Sequence, residues 1–393
     1  MTSHDETASG APEPYYSQGL RARFEIDGIR AEQAKAQVSG QYADITYDVD
    51  EKKYLARAEA RVKAGGLPTT VPAGWPTKLD GPLVWDSDSF PDEKEYVYNL
   101  TGDDKTELLE ALASFKKHGL DGQKVNKDLF PLPKLGLTLS DICNDVYNGR
   151  GFSIIRGLDP DDYSLEDLTV IYLGISSYVG EMRGKQDQRG SMLVHVIKHG
   201  DDSEVDDQYS EDKPFHTDTV ADTLCLFTQA LASSGGRSVL ASAYTRALQY
   251  YHDGKLITSF SRRLLVGHPP SKTRSPGIPG LTEAQAEALD AVHFIARKHE
   301  IKPRMERGDM RLINNMALLH RREAFANNRD EGVERHMVRI WLHNEDECWK
   351  LPEPLRLAWA RVFDDEDRDE HWDLAPIRNP LNGRVMHIGG SCD

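Results

Sequence analysis

The spacing of apolar residues predicts helices in the first half of the chain and mainly short strands after residue 190. Helix-forming residues closed by Gly65-Gly66 predict a helix at 50–64. N-terminal caps predict helices at about 104–117, 164–179 and 282–299, the first of them starting at a capping box of Asp104 and Glu107, and apolar stripes support the first and the last. Short apolar runs bounded by turn residues predict strands at 83–85, 149–157, 191–197, 224–230, 238–243, 310–313 and 335–343. Short strands with helices to one side favour an α+β barrel or sandwich over a parallel α/β sheet.

The last predicted strand carries charged residues inside an otherwise apolar stretch. Its period of two puts Arg335, Met337, Arg339 and Trp341 on one face and His336, Val338, Ile340 and Leu342 on the other. The second face suits packing against helices. Burying an unpaired guanidinium is costly, so Arg335 and Arg339 are expected to meet anions. Two interpretations stay open, namely structural salt bridges to Asp or Glu and the binding of a dicarboxylate co-substrate.

The tripeptide His216-Thr217-Asp218 places an imidazole and a carboxylate two residues apart. In extended backbone these side chains point to the same side and can hold one metal ion. His320, which follows an apolar stretch, is the best candidate for the third ligand. Two histidines and one carboxylate leave the other metal positions open, which suits a non-haem Fe(II) oxygenase. Taken alone, the tripeptide is better explained by chance than by a metal site.

Composition and charge exclude several classes of protein. Of the 393 residues, 39% are hydrophobic and 28% are charged, as is typical of a folded soluble protein. A net charge of −16 argues against sequence-independent nucleic-acid binding and against docking on an anionic membrane, although a pocket can be locally basic. Four scattered cysteines, a polar N-terminus and the lack of a long apolar run predict a cytoplasmic protein without a secretory signal or membrane span.

Four segments carry a family resemblance: FHTDT at 215–219, SGGRSVLASA at 234–243, GDMRLINNMALLHRREAF at 308–325 and ERHMVRIWL at 334–342. Together they resemble the TauD/TfdA group (taurine dioxygenase, clavaminate synthase-like) of Fe(II)- and 2-oxoglutarate-dependent oxygenases, and fungal members of that group most of all. The resemblance covers roughly residues 80 to 355. The combination of an H-x-D motif, a distal His and an R-x-x-x-R motif in this order is specific for the group. None of the three motifs is specific by itself. The resemblance implies a distorted double-stranded β-helix, or jelly roll, with flanking helices.

The resemblance also implies roles for individual residues. His216, Asp218 and His320 would bind Fe(II), and Arg335 would bind the distal carboxylate of 2-oxoglutarate. Arg339 would lie beside the C1 carboxylate or hold an anionic group of the substrate. Ser238 stands where many relatives have a threonine that helps hold the distal carboxylate. With O2, such an enzyme oxidises, and most often hydroxylates, an unactivated C–H of a small molecule while 2-oxoglutarate is converted to succinate and CO2.

Several expectations are less specific. Gln186, His195 and Arg183 are candidates for the mouth of the pocket, against a purely structural role. The alternative functions are a cupin-like metal-dependent hydrolase or isomerase that does not use 2-oxoglutarate, and a binding protein with a relic site. The substrate is not named by any motif, so tailoring of a secondary metabolite and catabolism both stay open. A homo-oligomer is compatible with the sequence.

Three regions are predicted along the chain. Residues 1–80 form an N-terminal extension, partly disordered, with one helix and a proline-rich strap. Residues 81–355 form the oxygenase domain, and residues 356–393 form a C-terminal tail.

Overall fold

The computed structural model describes residues 42–66, 70–71, 73–197, 212–218, 220–232, 234–235, 238–242, 249–267, 280–326, 335–378, 380–381 and 385. This part of the chain combines helices with one large mixed sheet and three smaller ones. The α+β class predicted from the sequence is therefore confirmed. In the same part of the chain, no helix is long and apolar enough to cross a bilayer.

The helices in these residues are α1 (Glu51–Lys63), α2 (Gly102–Lys117), α3 (Leu135–Tyr147), α4 (Leu165–Ser177), α5 (Arg262–Val266), α6 (Glu283–Lys298) and α7 (Glu353–Phe363). The four predicted helices correspond to α1, α2, α4 and α6. Each begins after a residue whose side chain accepts a hydrogen bond from a backbone N–H of the first turn: Asp50, Thr101, Ser164 and Thr282. These caps satisfy N–H groups that have no acceptor within the helix.

The strands in these residues are β1 (Val97–Asn99), β2 (Phe152–Arg156), β3 (Met182–Arg183), β4 (Val194–Ile197), β5 (Lys213–His216), β6 (Thr223–Ala230), β7 (Ser234–Gly235), β8 (Ser238–Ser242), β9 (Gln249–His252), β10 (Lys255–Thr258), β11 (Met310–Asn314), β12 (Leu318–Arg322), β13 (Phe325–Ala326) and β14 (His336–His343). A seven-stranded sheet has the order β1-β2-β11-β6-β14-β3, and β4 also pairs with β14. A three-stranded sheet has the order β5-β12-β8, and β9-β10 and β7-β13 form two separate pairs.

The two faces of β14 pack against different cores, as its alternation predicts. Val338, Ile340 and Leu342 are buried together with apolar residues of α2, α3 and α4. Trp341 belongs instead to a second core that includes Leu318 of the three-stranded sheet. The face that carries the arginines therefore looks away from the helical layer and toward the smaller sheet.

A third core fixes the outer side of the smaller sheet. Phe215 of β5 and Leu319 of β12 pack against Leu289, Val292 and Ala296 of α6. Because side chains alternate along a strand, the residues next to Phe215 and Leu319 point the opposite way. Those residues include His216 and His320.

Some local predictions were wrong. Residues 83–85 form no strand, because Val84 N–H donates to Gly81 O in a turn and Trp85 Nε1 donates to Arg150 O. The capping box of α2 consists of Thr101 and Asp104, rather than Asp104 and Glu107, since Gly102 and Asp103 already lie within the helix. The first difference involves a long-range hydrogen bond to Arg150, whereas the three-residue spacing of Thr101 and Asp104 was itself a capping-box signal in the sequence.

The C-terminal region is more closely packed than a tail. Helix α7 runs across the boundary predicted between residues 355 and 356, and its Leu355 and Val362 lie in the second core. Beyond it, Met192 N–H donates to His371 O, which ties this segment to the chain next to β4. The division into three regions stays a prediction.

Candidate active site

Strand pairing brings the two candidate histidines together. In the antiparallel pair β5-β12, His216 lies directly opposite His320. Their ring centroids are 4.4 Å apart. Asp218 follows β5 by two residues, and its Oδ1 lies 3.6 Å from His320 Nε2. One ligand atom from each of the three residues lies within 4.8 Å of the other two.

The orientation of His216 suits a metal ligand. Its Nδ1 lies 2.8 Å from Pro214 O, which can only accept, so Nδ1 carries the proton. The lone pair is then on Nε2, as metal binding requires. Burial, followed by the charge of His320, lowers the pKa of His216 to about 3, so its imidazole is neutral near pH 7.

The two oxygens of Asp218 have different surroundings. Oδ2 accepts a hydrogen bond from Trp341 Nε1 at 2.7 Å and lies 3.1 Å from Arg339 Nη1. Oδ1 is buried and has no hydrogen-bond partner among the described residues. Burial would raise the pKa of this carboxyl group, but Arg339 and then His320 hold it below its usual range, so the group is ionised. One oxygen is thus anchored, and the other is left for a cation.

Asn315 holds the backbone around Asp218, and the sequence analysis did not single it out. Its Oδ1 accepts from Asp218 N–H at 2.8 Å, and its Nδ2 donates to Asp218 O at 3.0 Å and to Ala221 O at 2.8 Å. The side chain is 1% exposed. A signal was present, because a polar pair, Asn314-Asn315, interrupts the apolar run that leads to His320.

Arg339 contacts both Asp218 and Gln186. Besides its contact with Asp218, its Nε donates to Gln186 Oε1 at 2.8 Å. Gln186 Nε2 donates in turn to Arg339 O at 3.0 Å and to Met192 O at 2.8 Å. Gln186 is 2% exposed, so the structure places it beneath Arg339 rather than at a solvent-exposed mouth.

Arg335 immediately precedes β14, four residues before Arg339, and Ser238 begins β8, two residues before the partner of His320. Arg335 is buried, its guanidinium lies over the Phe325 ring at 5.4 Å, and its Nη2 is 2.8 Å from Met337 Sδ. The backbone of Ser238 pairs with Arg322 across β8 and β12. The side chain of Ser238 lies outside what the structure describes, so its role stays a prediction.

The other candidates for the pocket mouth have backbone or histidine partners. Arg183 donates to the carbonyl oxygens of Gln123 at 3.2 Å and Val125 at 2.7 Å. His195 Nδ1 lies 2.8 Å from His336 Nε2, and its Nε2 lies 2.8 Å from Asp373 O. These contacts suit structural roles and leave neither side chain beside the three candidate ligands.

A second compact group of metal-binding side chain types consists of Asp222, His343 and Cys348. Asp222 and His343 are hydrogen-bonded to each other, and Trp359 Nε1 lies 3.4 Å from the second Asp222 oxygen. Both oxygens of Asp222 and one ring nitrogen of His343 are thus already engaged in contacts within the protein. The set His216, Asp218 and His320 differs, because Asp218 Oδ1 lies among the imidazoles without a hydrogen-bond partner in the described part of the chain. Its residues fit a divalent metal with two nitrogen ligands and one oxygen ligand.

The chain is similar to two curated proteins over most of its length. It is 27% identical over 342 residues to the taurine hydroxylase-like protein SAT17 of Stachybotrys chartarum, covering 76% of this chain and 88% of that protein. It is 24% identical over 318 residues to FR-33289 synthase of Streptomyces rubellomurinus, covering 68% of this chain and 91% of that protein.

Solved structures give weaker likenesses. Asparagine oxygenase aligns at 13% identity with a TM-score of 0.47, covering 63% of this chain and 92% of that one. The non-heme iron oxygenase OrfP in complex with Fe and alpha-ketoglutaric acid aligns at 13% identity with a TM-score of 0.46, covering 63% and 94%. Both scores are below 0.5 and are too low to carry an assignment.

The family comparison is decisive. The model of the taurine catabolism dioxygenase TauD, TfdA family matches residues 114–249 and 245–341, and the second match includes His320, Arg335 and Arg339. These matches span more than half of the chain and confirm the resemblance seen in its motifs. The chain therefore belongs to the TauD, TfdA family of dioxygenases.

Proposed function

We propose that this protein is a non-haem Fe(II)- and 2-oxoglutarate-dependent dioxygenase that hydroxylates an unactivated C–H of a small molecule. The observation that carries the proposal is the set of His216, Asp218 and His320, whose ligand atoms converge with one carboxylate oxygen unpartnered among the described residues. Family membership supports the reaction class. When bound, iron, 2-oxoglutarate and O2 supply the oxidising chemistry, and 2-oxoglutarate leaves as succinate and CO2.

In this proposal, each residue of the candidate site has a defined role. His216, Asp218 and His320 hold Fe(II) on one side and leave its other positions open. Arg335 pairs with the distal carboxylate of 2-oxoglutarate, with Ser238 beside it. Arg339 and Trp341 orient Asp218 through its Oδ2. Arg339 thus orients a metal ligand. This role comes in addition to the contact with the C1 carboxylate of 2-oxoglutarate, or with an anionic group of the substrate, that the resemblance implies.

We also propose that the seven-stranded and three-stranded sheets are the two walls of a distorted jelly roll. Two observations support this arrangement. The second core joins Trp341 of the large sheet to Leu240 and Leu318 of the small sheet. The contacts from Asp218, which follows β5, to Arg339 and Trp341 on β14 cross between the same two sheets. The candidate metal ligands then lie between the walls.

The relatives suggest the setting of the reaction. One relative is named a synthase of FR-33289 and another is named taurine hydroxylase-like. A role in making a secondary metabolite, with a small molecule as substrate, agrees with both names. Identifying the product formed from candidate small molecules by mass spectrometry tests this role.

Anaerobic titration tests the co-substrate and the metal together. Fe(II) added to the apoprotein with 2-oxoglutarate should produce the weak visible charge-transfer band of a chelated 2-oxo acid. Asp218→Ala should abolish most Fe(II) binding and the band. Asp104→Asn removes another buried carboxylate, in the capping box of α2, and should leave the band unchanged. If the wild-type protein gives no band, and no succinate in O2, the proposal fails.

Arg335→Met separates the proposed function from a cupin-like hydrolase or isomerase. In a 2-oxoglutarate oxygenase, this variant should retain metal binding and lose most of its affinity for 2-oxoglutarate, because the carboxylate loses its cation. A metal-dependent hydrolase or isomerase would keep its activity without 2-oxoglutarate and would be indifferent to the change. Metal binding and 2-oxoglutarate binding are measured separately by calorimetry.

A further inference from the structure

Arg311 is a fully buried arginine in the middle of β11 with no role in the function proposed above. Its side chain is 0% exposed. Burial lowers the pKa of its guanidinium to about 10, so the group is still charged near pH 7. A buried charge without a partner is costly, which makes the surroundings of Arg311 informative.

Strand register places Arg311 on the face of the large sheet that carries the candidate site. It lies opposite Leu226 of β6, and Leu226 lies opposite Arg339 of β14. Side chains of directly paired residues share a face. The neighbours of Arg311 in the strand, Met310 and Leu312, pack in the helical core on the other side.

The guanidinium of Arg311 reaches toward Arg335. Its Nη2 lies 3.7 Å from Met337 Sδ, and the same sulfur lies 2.8 Å from Arg335 Nη2. Two buried guanidinium groups thus approach one thioether from two strands. Sulfur is a weak acceptor and does not neutralise the charge of Arg311.

No carboxylate of the described residues is hydrogen-bonded to Arg311. Its Nε and Nη1 have no hydrogen-bond partner among those residues. The nearest acid in sequence, Asp309, uses Oδ1 and Oδ2 to accept from Arg156 at 2.9 and 3.0 Å. Asp218 is in contact with Arg339. Among the described residues, the charge of Arg311 is thus left for an anion to neutralise.

We propose that Arg311 is an anion-binding residue that, together with Arg335, binds one oxyanion entering the site. The inference rests on the proposed function, which it extends by a second guanidinium. The group that they bind is a carboxylate or a similar acid group. Its two sources are the distal carboxylate of 2-oxoglutarate and an acid group of the substrate, and the experiment below separates them.

The test compares Arg311→Met with a matched control, Arg262→Met. Arg262 is also buried, but it begins α5 rather than lying on the large sheet, and it donates to Asp290 Oδ1 at 2.7 Å and to Thr46 O at 2.9 Å. Losing Arg262 should lower the midpoint of thermal unfolding because its partners lose their donor. Losing Arg311 should raise the midpoint of the ligand-free protein, since an uncompensated buried charge is removed. Should the Met variant fail to fold, Arg311→Lys retains the charge and should bind anions more weakly than the wild type.

Binding is measured anaerobically with Fe(II). If 2-oxoglutarate is the source, its affinity should fall by at least about tenfold in Arg311→Met. The affinity for 2-oxobutyrate, which has the same chelating groups and no distal carboxylate, should not change. If the substrate is the source, 2-oxoglutarate affinity is unchanged. Inorganic phosphate, used as the probe, then raises the unfolding midpoint of the wild-type complex with Fe(II) and 2-oxoglutarate, but not that of Arg311→Met.

An Arg311→Met protein that binds 2-oxoglutarate as the wild type does, and responds equally to phosphate, overturns the inference. Absence of the visible band in the wild-type protein would instead overturn the proposed function. In that case, the response of the ligand-free wild type and variant to phosphate alone decides the role of Arg311.

Discussion

At the scale of single residues, the candidate site depends on side chains that hold the ligands as well as on the ligands themselves. Asn315 is the clearest case, because its amide makes three hydrogen bonds to the backbone, two at Asp218 and one at Ala221. Partners of this kind orient metal ligands, and their loss typically weakens metal binding by about 10- to 100-fold.

Replacing Asn315 by Leu should therefore lower the affinity for Fe(II) by roughly 10- to 100-fold. Asn314→Leu is the matched control, since Asn314 also makes three backbone hydrogen bonds, to Val146 O, Met316 N and Ala317 N. Both variants should be less stable in urea, and only Asn315→Leu should lose metal affinity by titration. Equal metal affinities in the two variants would contradict a positioning role.

A buried histidine outside the metal site predicts sensitivity to acid. Burial, and then the charge of Arg321, lowers the pKa of His293 from 6.5 to about 3. At about pH 5 the unfolded chain binds a proton at this residue and the folded protein does not. This contribution to stability is thus fully present above pH 6.5 and is lost progressively as the pH falls toward 3.

His293→Asn should flatten this dependence, while an amide oxygen can still accept from Phe215 N–H, which lies 3.4 Å from His293 Nδ1. Between about pH 7.5 and pH 5, the wild type should lose about 2 kcal/mol more of unfolding free energy than the variant. Urea unfolding at both pH values measures the difference. Identical losses would show that His293 does not cause the acid sensitivity.

At the scale of elements, helix α6 determines how firmly the metal-binding strands are held. Leu289 of α6 is 2% exposed and packs in the core that contains Phe215 and Leu319, the neighbours of the two candidate histidines. Loss of packing there should loosen β5 and β12 locally, since regions with fewer buried contacts open more easily.

Leu289→Ala should destabilise the protein by about 2–5 kcal/mol, the usual cost of a large cavity. Leu108→Ala, in α2 and 0% exposed, is the control for the same chemical change in another core. Hydrogen exchange should become faster in β5 and β12 only for Leu289→Ala, and faster in α2 only for Leu108→Ala. The same exchange pattern in both variants would rule out a local role for α6.

Among the helices, local sequence patterns were sufficient to predict four. Helix-forming residues before Gly65-Gly66 identified α1, and N-terminal caps identified α2, α4 and α6, with apolar stripes in α2 and α6, because these signals lie within one element. Helix α3 was missed: Leu135, Leu137 and Leu139 alternate with the period of a strand, yet the fold buries Leu135 and Leu139 and leaves Leu137 72% exposed. The helical structure of this segment depends on its packing against the sheet, which a local sequence pattern does not contain.

At the scale of the whole molecule, an acidic protein buries three arginines on one face of its large sheet. The net charge is −16, yet Arg311, Arg335 and Arg339 are all at most 7% exposed on one face of the large sheet. A divalent metal held by His216, Asp218 and His320 would add positive charge beside Arg339, which favours an anionic co-substrate. Metal and co-substrate are therefore expected to stabilise the fold together.

Saturating Fe(II) with 2-oxoglutarate should raise the unfolding midpoint by more than the sum of the separate effects, because chelation requires both. At about 100 times the dissociation constant, a ligand contributes about 2.7 kcal/mol. Calorimetric scans with each ligand, with both, and with both plus a chelator measure this coupling. A full stabilisation by 2-oxoglutarate in the presence of the chelator would contradict it.

The sequence by itself determined the chemistry of the site. An imidazole and a carboxylate at positions i and i+2, and two arginines at i and i+4 of a strand, share a face whenever the backbone is extended, so no long-range information is needed. Only the tertiary structure decided which groups meet. The register of β5 and β12 sets His216 against His320, and the closeness of the two sheets brings Arg339 and Trp341 to Asp218. The same packing leaves Arg311 without an anion among the described residues, because contacts between residues far apart in sequence depend on the whole fold.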